Sequence, residues 1–229
     1  MKRLLLATLV LALAAPTGPA PHGGSVRGRI RVIANGKPVA HDDVYVYLQP
    51  VRRRRGALPG TGVSTEIRQQ KEEFVPHVVV VPVGASVAFP NYDNEEHNVF
   101  SPTDPPGQFD LQRYNTDKKG KSHVFEDAGE IDIYCDIHKQ MRAKVKVVDT
   151  PYIAAVGADG KIAFDHVAPG TYKVMGWLPD NKEETSSEPI VVTDDKTTVL
   201  PDELHLQLDL LPVRPHTRKD GTQYPIYKP

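Results

Sequence analysis

A chain of 229 residues is long enough for two small domains or one large all-β domain. Its 28 lysines and arginines balance 29 aspartates and glutamates, so no global charge points to nucleic acid or to an acidic membrane. Prolines (21) and glycines (17) scattered among valine-rich stretches suggest short strands joined by tight turns, and no convincing amphipathic helical window follows residue 20.

Residues 1–20 read as an export signal. Lys2 and Arg3 form the charged region, Leu4 to Ala15 the apolar run, and Ala12-Leu13-Ala14 or Gly18-Pro19-Ala20 a small-residue cleavage site. The run is short for a bilayer span, although an uncleaved anchor helix also fits the segment. Cleavage would leave a mildly acidic, soluble, periplasmic or secreted protein with no membrane span. Residues 25–33 alternate as a strand, Asn35-Gly36 is a strong turn signal, and Val44 to Leu48 supply a second strand. Residues 51–62 carry Arg52 to Arg55, glycines and a proline, and read as an exposed linker. The same arginines would also suit an acidic partner.

From residue 63 the texture changes. Strands are expected at Thr65 to Gln69, Phe74 to Val81 and Ala85 to Phe89. A polar loop, residues 90–96, then delivers His97, and a Pro- and Gly-rich excursion covers 101–107. Lys121 to Glu126 and Glu130 to Cys135 form two further strands, and Arg142 to Val148 closes this unit. The last third is again strand and turn: Tyr152 to Val156, Lys161 to Phe164, Thr171 to Leu178, Pro189 to Val192 and Thr198 to Leu211. Residues 212–229, with four prolines, are expected to form a poorly ordered tail.

The single cysteine sits in Tyr134-Cys135-Asp136-Ile137-His138-Lys139-Gln140-Met141. An exported chain with one cysteine has no internal disulfide, and a free thiol there is open to oxidation. Metal ligation gives it a purpose, while a buried, inert cysteine is the plainer alternative. In C-x2-H-x2-M a straight strand would send residues three apart to opposite faces, so convergence requires a tight loop. With His97 from a neighbouring loop, the set becomes two imidazoles, a thiolate and a weak thioether. That combination favours copper in a one-electron site, because soft sulfur holds Cu(I) and imidazole also accepts Cu(II). Zinc accepts Cys and His too, but a thioether suits it poorly, and Met141 also fits a plain core residue. His138 is expected at the loop tip beside an apolar patch formed by its neighbours. Asp136 and Asn98 are the candidates to orient the ligands by hydrogen bonds.

His22, His41, His77, His123, His166, His205 and His216 lie singly, without a partner at ligand spacing. The lack of any His-x-His pair argues against a trinuclear copper centre. Neither a nucleophile elbow, a phosphate loop nor a zinc-protease motif occurs, so no enzymatic activity is expected.

The stretch Gly84 to Asp93 (GASVAFPNYD), the following His97-Asn98-Val99-Phe100-Ser101 and the Cys135 loop together resemble the cupredoxin, or type 1 blue copper, family. The short loop is similar to that of amicyanin and shorter than that of plastocyanin. The wider pattern resembles exported cupredoxins of the "methylamine utilization protein" type. The resemblance spans about residues 63–149 and implies an antiparallel Greek-key sandwich holding one mononuclear copper. His97 and His138 would be imidazole ligands, Cys135 the thiolate and Met141 the axial ligand. Asn98 would tie the ligand loops together near the sulfur.

Gly160 to Val174 (GKIAFDHVAPGTYKV) resembles the transthyretin-type, carboxypeptidase regulatory-like sandwich, whose opening strands are similar to residues 28–48. Residues 25–50 and 151–211 are therefore expected to form one discontinuous sandwich with residues 63–149 inserted. Early strands belonging to the copper unit, with a separate C-terminal domain, are the alternative. The expected fold class is all-β, and the expected function is a one-electron carrier serving a redox partner protein. A copper-handling protein without electron transfer, or an adhesion module that has lost its metal, are the other readings.

Overall fold

The computed structural model describes residues 23–52, 60–212 and 216–224. The export signal expected at 1–20, most of the arginine-rich linker and parts of the expected tail lie outside the described residues. Within them the chain is all-β, with no helix.

Three strands precede the linker: β1 (Gly24–Ala34), β2 (Lys37–Val39) and β3 (Tyr45–Pro50). Five come next: β4 (Ser64–Glu66), β5 (Arg68–Gln69), β6 (Phe74–Val75), β7 (Val78–Pro82) and β8 (Ala85–Asn91). The centre of the chain adds β9 (Phe100–Ser101), β10 (Phe109–Asp110), β11 (Asp117–Phe125), β12 (Gly129–Tyr134) and β13 (Arg142–Val148). The remainder holds β14 (Ile153–Ala155), β15 (Lys161–Val167), β16 (Gly170–Trp177), β17 (Thr185–Ser186), β18 (Ile190–Val192), β19 (Thr197–Val199) and β20 (Leu204–Gln207).

Local chemistry sets the breaks. Asn35 and Gly36 both take positive φ (50° and 73°), the conformation a two-residue hairpin turn needs between β1 and β2. Thr198 to Leu211 divides into β19 and β20 around Pro201, and Phe74 to Val81 divides into β6 and β7 around Pro76, since proline has no N–H for a ladder.

The strands form four sheets. In the first, β1 pairs with β2, β15, β19 and β20; Ile30 lies opposite Leu204. In the second, β3 lies between β14 and β16; Val46 pairs with Ala154 and Gly176. Both early strands therefore pair beyond residue 150. The third sheet runs β10-β9-β12-β13-β7, and the fourth runs β11-β8-β5-β6 with β4 beside β8. These two are mixed rather than wholly antiparallel, because β7 runs parallel to β13, and β4 and β5 run parallel to β8.

Strand alternation stacks the sheets in layers. Val26, Ile30, Val46, Leu48, Ile162 and Val174 fill the gap between the first and second. Val79, Val81, Phe89, Ile131, Ile133 and Val145 fill the gap between the third and fourth. Each such fully buried aliphatic side chain stabilises the fold by about 1.5–3 kcal/mol. The opposite faces of β7 and β13 meet the second sheet through Tyr47, Val78, Val148 and Trp177. Trp177 donates its indole N–H to Glu130 at 2.8 Å, while Lys146 lies over its ring at 5.5 Å and pairs with Glu184. Lys144 bridges Asp132 (2.7 Å) and Asp180 (3.1 Å) across the same seam. Nearly buried ion pairs of this kind fix orientation more than they add net stability.

Candidate metal centre

The two loops that carry the candidate ligands meet at one end of the third and fourth sheets. β8 delivers the first. Buried Asn91 donates to the carbonyls of Glu95 (2.9 Å) and Tyr114 (3.2 Å), and its side-chain oxygen accepts the Asp93 amide at 3.0 Å. His97 is then held by a two-way backbone bridge to Tyr114, at 3.1 and 2.9 Å. Tyr114 is fastened in turn by its hydroxyl, which donates to the Phe89 carbonyl and accepts from Gln69.

β12 and β13 deliver the second loop. It closes through Cys135 N–H donating to the Met141 carbonyl (3.2 Å) and Met141 N–H donating to the His138 carbonyl (3.1 Å). The Ile137 amide points at the Cys135 sulfur at 3.4 Å. The tight turn that C-x2-H-x2-M requires is thus present.

The ligand atoms of His97, Cys135 and His138 all lie within 4.8 Å of one another. His97 Nδ1 is 3.0 Å from His138 Nδ1, and Cys135 Sγ is 3.9 Å from His138 Nδ1. Metal–imidazole bonds of about 2.0–2.1 Å and metal–thiolate bonds of about 2.3 Å span such separations, so the donors present fit one small ion of the copper or zinc kind. Met141 is fully buried in the same apolar cluster as Cys135. Its backbone closes the ligand loop, and its side chain belongs to the core there.

The two histidines are held differently. The His97 side chain is 0% exposed, and its Nε2 lies 2.9 Å from Asp93 Oδ2, which leaves Nδ1 free to face inward. Asp93 also accepts the amides of Lys71 (2.6 Å) and Glu72 (2.9 Å), two residues with positive φ that aim both N–H groups at one carboxylate. Burial works against the Asp93 charge, but those amides and the His97 ring outweigh it and hold its pKa below the usual carboxylate value. Burial likewise disfavours protonated His97, yet hydrogen bonds to Cys135 and Asp93 prevail and raise its pKa above the ordinary imidazole value. A carboxylate behind an imidazole fixes the tautomer and strengthens the inward nitrogen as a ligand.

The His138 side chain is 14% exposed, and its outer nitrogen lies 3.6 Å from Glu95. Its surroundings differ from the apolar patch expected. Lys139 and Gln140 are exposed, Gln140 donates to Glu72 at 2.5 Å, and Met141 has turned into the core. Only half-buried Ile137 is apolar in the loop tip, so the rim is polar and partly acidic.

Asp136, expected to orient the loop, is buried and takes a forked ion pair from Arg113, at 2.9 and 3.3 Å. Asn98 departs from expectation. Its amide donates to Asp110 on β10 at 2.8 Å, and its buried side-chain oxygen has no hydrogen-bond partner, so it braces the first loop outward rather than linking it to the sulfur. Asp93, Arg113 and Tyr114 were not identified from sequence. Only Asp93 carried a signal, as the last residue of the Gly84 to Asp93 stretch four positions before His97. Of the remaining histidines, His77 faces Asp43 at 3.1 Å and His123 stacks on Phe109, and none of those described joins the cluster.

Residues 216–224, expected within a poorly ordered tail, instead lie against this end of the molecule. His216 stacks on Tyr134, and Tyr224 donates its hydroxyl to the Cys135 carbonyl. The aromatic rings find an apolar seat there that a purely polar tail would not seek.

No family model matches the sequence, and no curated protein matches it. Among solved structures the chain is similar to a purple cupredoxin from Nitrosopumilus maritimus, with 28% identity, 36% of this chain and 98% of that one covered, and a TM-score of 0.30. It is also similar to amicyanin from Paracoccus versutus, at 20% identity over 47% of this chain and 99% of that one, TM-score 0.34. A copper-containing nitrite reductase from Thermus scotoductus shares 22% identity over 51% of this chain and 28% of its own, TM-score 0.34. The structural neighbours of this all-β chain are cupredoxins, covering about 40% of it.

Proposed function

We propose that the chain is an exported electron carrier, not an enzyme, that holds one copper ion between His97, Cys135 and His138 with Met141 as a weak fourth ligand. The observation that carries this reading is the convergence of His97 Nδ1, His138 Nδ1 and Cys135 Sγ within 4.8 Å. Copper so bound would alternate between Cu(II) and Cu(I), taking one electron from a donor protein and passing it to an acceptor. The chain's part is to keep that exchange free of rearrangement. Asp93 holds His97 at fixed tautomer and angle, Arg113 pins the cysteine loop through Asp136, and Ile137 N–H faces the sulfur. His138 is the ligand nearest solvent and the natural point of electron entry. A proton on His97 competes with the metal, so copper affinity should fall as pH drops through the raised pKa of that ring.

The pairing of β1 and β3 with strands beyond residue 150 supports our reading of residues 25–50 and 151–211 as one sandwich into which residues 63–149 are inserted. Insertion at a surface loop is tolerated when the host's ends lie close together.

The test is to titrate the purified protein with Cu(II) and record visible and EPR spectra. One equivalent bound, with an intense thiolate-to-copper band that bleaches and returns on reduction and reoxidation, is the expected result. Binding without that band, or a band without reversible redox cycling, would favour copper handling instead.

A further inference from the structure

The last described segment, residues 216–224, belongs to no sheet, yet it holds the cysteine loop directly and reaches Asp110, the partner of Asn98. The ring of His216 stacks on Tyr134, the neighbour of Cys135, with centroids 4.0 Å apart, and meets Tyr224 edge-on at 5.2 Å. Tyr224 is 8% exposed and donates its hydroxyl to the carbonyl of Cys135 itself. Arg218 Nε donates to the next carbonyl along, that of Asp136, at 2.9 Å. Lys219 reaches Asp110 Oδ2 at 3.0 Å, and the other oxygen of Asp110 holds Asn98 beside His97.

The segment's attachment is slight for what it touches. It closes on itself through Gly221 N–H to the Arg218 carbonyl and Arg218 N–H to the Thr222 carbonyl, both 2.9 Å, with Gly221 at φ 80°. Among the described residues it has no ladder to any strand and is held by a few side-chain contacts, and segments so held open locally at far lower cost than unfolding.

We propose that residues 216–224 form a releasable clamp on the metal centre, with Tyr224 and Arg218 as its positioning residues. Closed, it fixes the Cys135–Asp136 backbone from the Tyr134 side; lifted, it frees the cysteine loop to open and gives a metal ion access to Cys135. What the clamp regulates rests on the copper reading above, whereas its hold on the thiol is a property of the metal-free chain.

The test separates the two. In full-length, metal-free protein, the reaction of Cys135 with a chromogenic disulfide reagent is timed for wild type, Tyr224→Phe, Arg218→Gln and the double variant. Two lost hydrogen bonds should speed the double variant about tenfold, with the thermal midpoint nearly unchanged. Arg218→Lys, which keeps a cationic donor, should restore part of the slowness lost in Arg218→Gln. After copper loading, the double variant should lose the ion to a chelator faster by a similar factor. A thiol rate equal to wild type in the double variant overturns the proposal. So does an increase fully accounted for by a fall in the thermal midpoint, which would make both residues merely structural. If wild type binds no copper while the thiol still responds, the metal reading fails and the hold on the thiol stands.

Discussion

The first and second sheets and the third and fourth sheets pack in the same manner, but they bury different chemistry. Between the first pair lies an almost wholly apolar layer of Val26, Ile30, Leu48, Ile162, Val174 and their neighbours. Between the second pair an equally apolar layer ends at one pole in Gln69, Asn91, His97, Asn98 and Asp136, all buried and polar. Buried polar groups cost free energy unless every one is satisfied. The first pair of sheets reads as scaffold, and the pole of the second pair is where stability has been exchanged for a site.

Four experiments break or sharpen that contrast. The largest effect belongs to Cys135→Ser, which should abolish the thiolate-to-copper absorption entirely while leaving the thermal midpoint close to wild type. If the band survives, the pole is not the site. Next comes Leu48→Ala, buried in the scaffold layer, where about 2–5 kcal/mol of stability should disappear in denaturant titration with no change in the copper spectrum. A shifted spectrum there would mean that the scaffold also shapes the centre. Asp93→Asn keeps the shape behind His97 but removes the charge, and copper affinity measured against a competing chelator should drop about tenfold. An unchanged affinity would show that the carboxylate only orders its loop.

The smallest effect is one of pH. His123 is half-buried and stacks on Phe109 at 4.0 Å, and desolvation depresses its pKa, with only Glu126 opposing. A depressed imidazole means that the unfolded chain binds the proton more readily. This contribution to stability is therefore complete above the unfolded value of about 6.5 and is lost as pH falls through the folded one. His123→Phe should flatten that part of the stability–pH profile, and a profile identical to wild type would remove His123 as its cause.

Much of this was legible in the chain itself. Alternating stretches such as Arg142 to Val148 gave strands because one face had to be buried, and the spacing of Cys135, His138 and Met141 announced a tight loop. What escaped notice was whatever depends on distant partners. Arg113 finds Asp136 across 23 positions, and Tyr224 finds Cys135 across 89, with no local pattern to mark either pair. Asn98 bonded outward to Asp110 because β10, a two-residue strand with no periodicity to detect, runs beside it. The rim of His138, expected to be an apolar patch, is polar because its sequence neighbours Lys139 and Gln140 are the exposed ones, while Met141 faces inward.

The connections on either side of the lobe of residues 63–149 have one more consequence. The polypeptide enters it after Pro50 and leaves it at Val148, so this lobe is leashed twice, and the Trp177–Glu130 bond with its lysine bridges closes the hinge between the leashes. A lobe on one leash can tumble independently, but a lobe on two, seated on such a seam, turns only with the whole body. Any visiting molecule that approaches His138 therefore meets a face of constant attitude, and nuclear spin relaxation should report a single rotational correlation time for both halves.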